Sequence, residues 1–333
     1  MSQRLKTRGH LDMRQHGIVA ARPPDGRSAG DRLVDERVGF GWNRCVHPAE
    51  VTALAGRLGI SPTGVPTPVT PGLSGNELWR LSTADGDRVL RVFPPGTPIE
   101  LADREVAAHR SAAEHGLRTP RVIGTAEVAS RPALAMDWVE GVSVADALWS
   151  GEDSERLGAR CGAELARLHQ VVDVPPIIAG RDWIDWAGPH ADELRPRLRL
   201  IGSDYRLLHL DFHPENLIIG ADAPDQLWVF DWANVRVGPP VADLARTLSI
   251  MDLVAEAVPG LTDHQRRNAN RFRGGLLSGY AAAGGDVDVP PLIMAWAYAV
   301  QLVDLAASWV PHWYFDRLRA RYRGLVPSDG QPG

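Results

Sequence analysis

The chain has 333 residues, of which 44% are hydrophobic and 23% charged, and carries a formal net charge of −5. This is the profile of a globular protein large enough for two lobes, and it gives no electrostatic support to a nucleic-acid-binding role. Cys45 and Cys161, the only two cysteines, make neither a disulfide framework nor a zinc site and fit a reducing cytoplasm. Lys6 is the sole lysine, so a phosphate-gripping cation in the folded body must be an arginine or a metal.

Residues 1–45 are rich in Arg, Gly and polar residues without a sustained apolar period, and are expected to form a disordered tail. The N-terminus shows no apolar export signal. A helix is predicted over Pro48–Leu58, with Val51, Leu54, Ala55 and Leu58 on one face and Gly59 closing it. The Pro-rich run Pro62–Pro71 reads as an extended connector. Glu77–Leu81 and Val89–Phe93 read as strands joined at the turn signal Asp85-Gly86. A helix over Ala102–His115, stopped by Gly116, and strands over Val122–Thr125 and Ala133–Trp138 complete a small β-rich lobe.

From about Ser143 the pattern becomes mainly helical. Leu157, Cys161, Leu165 and Leu168 form one buried stripe, and further helices are predicted over Asp192–Arg199, Ala242–Asp252, Asp263–Ala283 and Pro291–Trp309. The apolar stretch Leu292–Trp313 is long enough to consider as a membrane span. Gln301 and Asp304 interrupt it, and a charge at mid-span costs roughly 2.5–3.5 kcal/mol, so a buried helix is expected.

The chemistry concentrates in Leu208–Ile219 and Leu227–Trp232. Two strand-like runs, Asn216–Ile219 and Leu227–Phe230, flank a turn-rich connector and should pair as an antiparallel hairpin. Pairing brings Asn216 and Asp231 together at its open end, beside the loop that carries Asp211. Three oxygen-bearing side chains at one spot suit Mg²⁺ and phosphate: Asn216 and Asp231 as metal ligands, Asp211 as the base that orients a hydroxyl and takes its proton.

This segment resembles the HxDxxxxN catalytic loop and following metal-binding Asp of the aminoglycoside phosphotransferase family, which has a protein-kinase-like fold. Gly72-Leu73-Ser74-Gly75-Asn76 resembles the family's nucleotide loop, Arg91 the strand cation that meets the phosphates, and Glu105 the helix acid that pairs with it. Ala135–Gly141, with Asp137 and Val139, resembles the inter-lobe hinge that meets adenine, and Gly238–Ala245 the family's GDPxxDLA segment. The resemblance implies an α+β, two-lobed architecture. After the tail, residues 46–137 would be the nucleotide-binding lobe and 138–327 the catalytic and substrate lobe. It implies that His209 anchors the catalytic loop and Asp243 braces it; His213 fits either a substrate contact or loop packing, and His169 reads as structural. This sequence departs from the family at Leu210 (where Gly is frequent), Arg91 (Lys), Ala233 (Glu) and Pro239 (Asp).

The implied activity is ATP- and Mg²⁺-dependent phosphorylation of a small-molecule hydroxyl in the cytoplasm, with neither nucleic acid nor membrane as partner. An aminoglycoside-like antibiotic is one acceptor class, with resistance as its consequence. The alternatives are a metabolic sugar, amino alcohol or amino acid, and, from another class, a nucleotide-binding pseudokinase acting as an interaction module. A cationic acceptor would need acids such as Asp182, Asp185, Asp192, Glu193, Asp252, Glu256 or Asp304. Trp183, Trp186, Trp296, Trp309 and Trp313 are candidates for stacking on a ring.

Overall fold

The computed structural model describes residues 46–69, 75–201, 204–305 and 310–326. The expected tail, Gly72 and Ser74 of the nucleotide loop, and Trp309 lie outside the described residues.

Helix α1 (Pro48–Arg57) starts at a capping box, His47 accepting from Ala49 and Glu50 reaching back to the His47 amide. Strands β1 (Thr67–Val69), β2 (Glu77–Leu81) and β3 (Arg88–Val92) follow, then helix α2 (Ile99–Glu114), β4 (Val122–Val128) and β5 (Arg131–Asp137). The five strands form one sheet in the order β1-β2-β3-β5-β4, antiparallel throughout. β1 lies within the Pro-rich run read from sequence as a connector. Pro68 sits there because β1 is an edge strand, where a missing N–H costs no ladder bond. The centre of the sheet carries Leu90, Val92, Ala133 and Ala135, packed on Val51, Leu54 and Ala55 of α1.

After β6 (Gly141–Ser143) the chain is mostly helical: α3 (Val144–Ser150), α4 (Ser154–Leu168), α5 (Pro176–Ala179), 3₁₀ turns over Trp183–His190 and α6 (Ala191–Leu198). Two short sheets interrupt it, built from β7 (Arg206–Leu208), β8 (Leu217–Gly220), β9 (Leu227–Val229) and β10 (Arg236–Gly238). Helices α7 (Pro240–Ala257), α8 (Asp263–Ala282), α9 (Pro291–Asp304) and α10 (His312–Leu325) close the lobe. Sequence periodicity anticipates most of these; α3, α5 and α10 went unread, and the described part of α9 runs to Asp304.

The predicted stripe of α4 is fully buried against α8. Glycines set the spacing. A Cβ at Gly162 would stand 2.0 Å from the Leu276 carbonyl oxygen, and one at Gly279 would stand 2.0 Å from that of Ala159, so the two backbones touch in both directions. Among the described residues no helix is long and apolar enough to cross a membrane. Helix α9, the apolar stretch of the sequence, is a buried core helix, with Ile293, Trp296 and Val300 inaccessible.

Candidate active site

The catalytic loop leaves β7 at His209. That residue is completely buried, and its ring ties two segments together: Nδ1 accepts from the Asp211 amide at 3.2 Å and Nε2 donates to the Phe230 carbonyl at 2.8 Å. The imidazole therefore carries its proton on Nε2 and links the loop to the residue before Asp231. It also lies against Trp232 and Phe212, with ring centroids 4.8 and 5.9 Å away.

Leu210 has φ +63°, a left-handed conformation that costs a branched side chain about 1–2 kcal/mol. This gives a physical reason why Gly is frequent at this position in the family. Here the side chain is fully buried in the same core cluster as Ala242, Ala245 and Trp296, and a buried Leu gains roughly 1.5–3 kcal/mol, which offsets the strain. The backbone is held from below by Asp243, itself completely buried. Its Oδ1 accepts from the Leu210 amide (2.8 Å), and its Oδ2 accepts from the His209 amide (2.6 Å) and from His169 Nε2 (3.2 Å). His169 in turn accepts from the Tyr280 hydroxyl at 2.7 Å. The bracing contact expected of Asp243 is thus present, and His169 extends it to α8.

Asp211 and Asn216 meet directly. The Asn216 amide nitrogen donates to the Asp211 carbonyl (2.9 Å) and reaches its carboxylate at 3.3 Å. Burial alone would push the Asp211 carboxyl upward in pKa. His213, whose Nε2 is 3.6 Å from Asp211 Oδ1, outweighs it, with help from Arg246, and holds the group well below the usual carboxylate range. Asn216 closes a 3₁₀ turn, Pro214–Asn216, so the strand begins at Leu217, one residue later than read from sequence.

The hairpin itself forms as expected, with Leu217 opposite Val229 and Ile219 opposite Leu227. One step past that ladder the Phe230 amide donates to the Asn216 carbonyl at 2.9 Å, which brings the chain to Asp231 beside Asn216. Asp231 has φ +57° and a third of its side chain exposed. Its Oδ1 lies 3.2 Å from Arg91 NH1, and the same nitrogen donates to Glu105 Oε1 at 2.6 Å. Arg91 occupies the middle of β3, between Leu78 and Leu134 of the neighbouring strands, with its guanidinium 4.8 Å from the Phe93 ring. Glu105 is buried on α2. Burial pushes its carboxyl up to about 7 against the pull of Arg91.

The hinge resemblance is less direct. The Asp137 carboxylate is taken by Arg121 through two 3.0 Å bonds and by Arg88 at 3.4 Å, its amide donates to the Arg121 carbonyl at 3.0 Å, and Val139 is half-buried. Gly75 has φ +69° and Asn76 is buried at the start of β2.

Three arginines near the site were not singled out from sequence. Arg246, three residues after Asp243 on α7, bonds Asp304, which also accepts from Trp186 Nε1 at 3.1 Å. Its charge reaches Asp211. The i, i+3 spacing to Asp243 was the available signal. Arg236 on β10 and Arg104 on α2 are also buried. Of the tryptophans considered for stacking, Trp183 and Trp296 form an edge-to-face core pair 4.7 Å apart, Trp313 is exposed on α10, and Trp186 alone stands half-buried beside Arg246.

Comparison with known proteins places this geometry. A profile described as the phosphotransferase enzyme family matches residues 67–200 and 178–283, together more than half of the chain. The chain belongs to this phosphotransferase family. Its fold is that of protein-kinase-like small-molecule kinases. It superposes on a thermostable mutant of aminoglycoside phosphotransferase APH(4)-Ia with TM-score 0.55 and 17% identity, covering 86% of this chain and 100% of that one. An ethanolamine kinase of Plasmodium vivax gives 0.53 and 9%, covering 92% and 96%, and a microcompartment-associated aminopropanol kinase 0.51 and 15%, covering 78% and 90%. No curated protein sequence matches the chain. At these identities the structural neighbours establish the fold, and the acceptors of the three differ among themselves.

Proposed function

We propose that this phosphotransferase moves the γ-phosphoryl group of ATP to a hydroxyl of a small molecule in the cytoplasm, with residues 46–137 serving the nucleotide and 138–327 serving catalysis and the acceptor. The observation that carries the reading is the junction of Asp211, Asn216 and Asp231, made by the 2.9 Å Asn216–Asp211 bond and the 2.9 Å Phe230–Asn216 bond.

In this reading Asp211 is an ionised carboxylate, able to accept a hydrogen bond from the incoming hydroxyl, align its oxygen and receive its proton as the new O–P bond forms. Such transfers involve little covalent work by the protein, so positioning decides the rate. His209 and Asp243 supply it by fixing the amides of His209, Leu210 and Asp211 at the start of the loop. Arg91, tethered by Glu105, presents a guanidinium to the phosphates, where its fork replaces the point charge of a lysine. Gly72, Ser74, Gly75 and Asn76 would cover the phosphates, and the main chain of Asp137 and Val139 would receive adenine.

The donor set can be tested for Mg²⁺. No group of three His, Cys, Asp or Glu side chains that could hold a metal occurs among the described residues. The available pair is one part-exposed carboxylate, Asp231, and one amide, Asn216, whose nitrogen is turned to Asp211 and whose carbonyl oxygen is the group left for a cation. Mg²⁺ commonly takes one or two protein oxygens and fills the rest with phosphate and water, so the set fits. Bound there, the ion would offset phosphate charge.

The test is ADP release by wild type and Asp211→Asn across a panel of hydroxyl compounds, with ATP affinity measured in parallel. Loss of the base is expected to lower turnover by about 10²–10⁴ while ATP affinity holds. Near-normal turnover in the variant removes Asp211 from this role.

A further inference from the structure

The charged groups around the acceptor side of Asp211 are unevenly matched. Most of the acids that a polycation would need are already engaged. Arg195 takes Asp182 at 2.6 Å and also bonds Asp185; Arg317 and Arg321 take Glu256 at 2.8 and 2.6 Å; Tyr322 donates to Glu193 at 2.5 Å. Asp304, the acid whose charge reaches Asp211, is held by Arg246 and Trp186.

The arginines show the opposite. Arg104 is 5% exposed, and its Nε and NH2 are buried without any hydrogen-bond partner. Arg246 is also 5% exposed; one nitrogen bonds Asp304, while Nε and NH1 are buried without partners. Arg236, 8% exposed, donates only to carbonyls of its own segment, Asn234 at 3.3 Å and Val235 at 2.8 Å, and makes no ion pair among the described residues.

These groups form one neighbourhood. Arg236 and Arg246 both approach the ring of Trp186, at 5.7 and 5.3 Å. Asp182 bridges to Val237, which sets Arg181 beside Arg236, and α5 packs on both α2 and β10. Burial, followed by the charges of Arg104 and Arg181, pushes Arg236 down to about 10. Burial and Arg181 push Arg104 down as well. Buried guanidinium N–H groups without acceptors are costly, and like charges crowded together add to that cost, so such a cluster calls for an anion. The planar fork of arginine matches carboxylate and phosphate.

We infer that the buried Arg104, Arg236 and Arg246, with the exposed Arg181 at the rim, form an anion-binding wall that reaches Asp211 through Arg246, which makes the acceptor a small hydroxyl compound carrying a carboxylate or phosphate group. This deepens the phosphotransfer reading and rests on it. The nucleotide phosphates would be met by Arg91, which is ion-paired to Glu105 and Asp231; of the four, Arg104 touches that pair only through the charge of its neighbour Glu105.

The experiment uses the full chain with its nucleotide site saturated by Mg²⁺ and a non-hydrolysable ATP analogue. Glycerate, glycerol 3-phosphate, glycerol and the aminoglycoside kanamycin are titrated calorimetrically at matched ionic strength. At least one of the two anions should bind about 10–100-fold more tightly than glycerol, the worth of one charge-assisted contact, and which one binds separates carboxylate from phosphate. Arg236→Met and Arg104→Met should abolish that preference. The proposal is overturned if neither anion outbinds glycerol, if kanamycin binds best, or if folded arginine variants keep the preference. The wild-type ranking decides the matter even where a variant fails to fold. Adding ATP in place of the analogue separates the two readings. Anion binding without ADP release retires phosphotransfer and leaves the wall; ADP release with glycerol or kanamycin but neither anion does the reverse.

Discussion

Asp243→Asn is a substitution that keeps shape and changes one atom's hydrogen-bonding sense. In the native chain Oδ2 accepts two bonds, from the His209 amide and His169, and Oδ1 accepts one, from the Leu210 amide. An asparagine has one acceptor oxygen and must spend it on the side with two donors, so its NH₂ confronts the Leu210 N–H. An unsatisfied buried amide costs about 1–3 kcal/mol, and turning two charge-assisted bonds into neutral ones costs about 1 kcal/mol each, for a total of roughly 3–5 kcal/mol. The loss falls on a residue already held at φ +63°, so the loop relaxes and Asp211 moves with it. Misplacement of about 1 Å near reacting atoms costs on the order of 10²-fold in rate. Urea denaturation should therefore show the lower stability, and ADP release at saturating ATP a drop of at least that order. A variant with wild-type midpoint and wild-type turnover would refute the brace; lower stability with full turnover would show that Asp243 supports the fold without positioning the loop.

Two other outcomes follow from the packing and the charges. Gly162→Ala sets a methyl group 2.0 Å from the Leu276 carbonyl oxygen and 2.6 Å from the Tyr280 nitrogen, both main-chain atoms, so α4 and α8 must separate. Stability should fall by at least the ~1–3 kcal/mol typical of overpacking, and an unchanged urea midpoint would contradict the backbone contact. Glu105, with its folded pKa raised from 4.5 to about 7, binds more protons folded than unfolded, so its contribution to stability declines as pH rises through that window. Without nucleotide, Glu105→Gln should remove part of the fall in denaturation midpoint between pH 5 and 7. Parallel curves for variant and wild type would show that the carboxyl is already ionised there.

Much of the site was legible because its parts are close in sequence and joined by a hairpin whose register follows from two short apolar runs. Asn216 and Asp231 are brought together by one antiparallel ladder, and alternation alone predicts that. Arg91 and Glu105 needed the family resemblance, since nothing in β3 or α2 taken separately says that they face each other. Pattern reasoning failed where tertiary context sets the rule. Pro68 reads as a strand breaker until its strand is seen at an edge, and Leu210 reads as an anomaly until its burial is seen to offset its backbone. The arginine wall was hidden for a similar reason. Arg104, Arg236 and Arg246 come from three elements and Arg181 from a connecting turn, and in a chain with almost no lysine an arginine carries little information by itself.

The central claim is that Asp231, joined to Asn216 and Asp211, is where metal and phosphate meet. It is tested most directly by titrating Mg²⁺ against ATP turnover for wild type, Asn216→Ala and Asp231→Ala. Wild-type turnover should require the metal. Asn216→Ala should recover part of its activity at high Mg²⁺, since a neutral ligand contributes mainly affinity, and Asp231→Ala should stay near background at every concentration. An Asp231→Ala curve that overlays wild type would contradict the account.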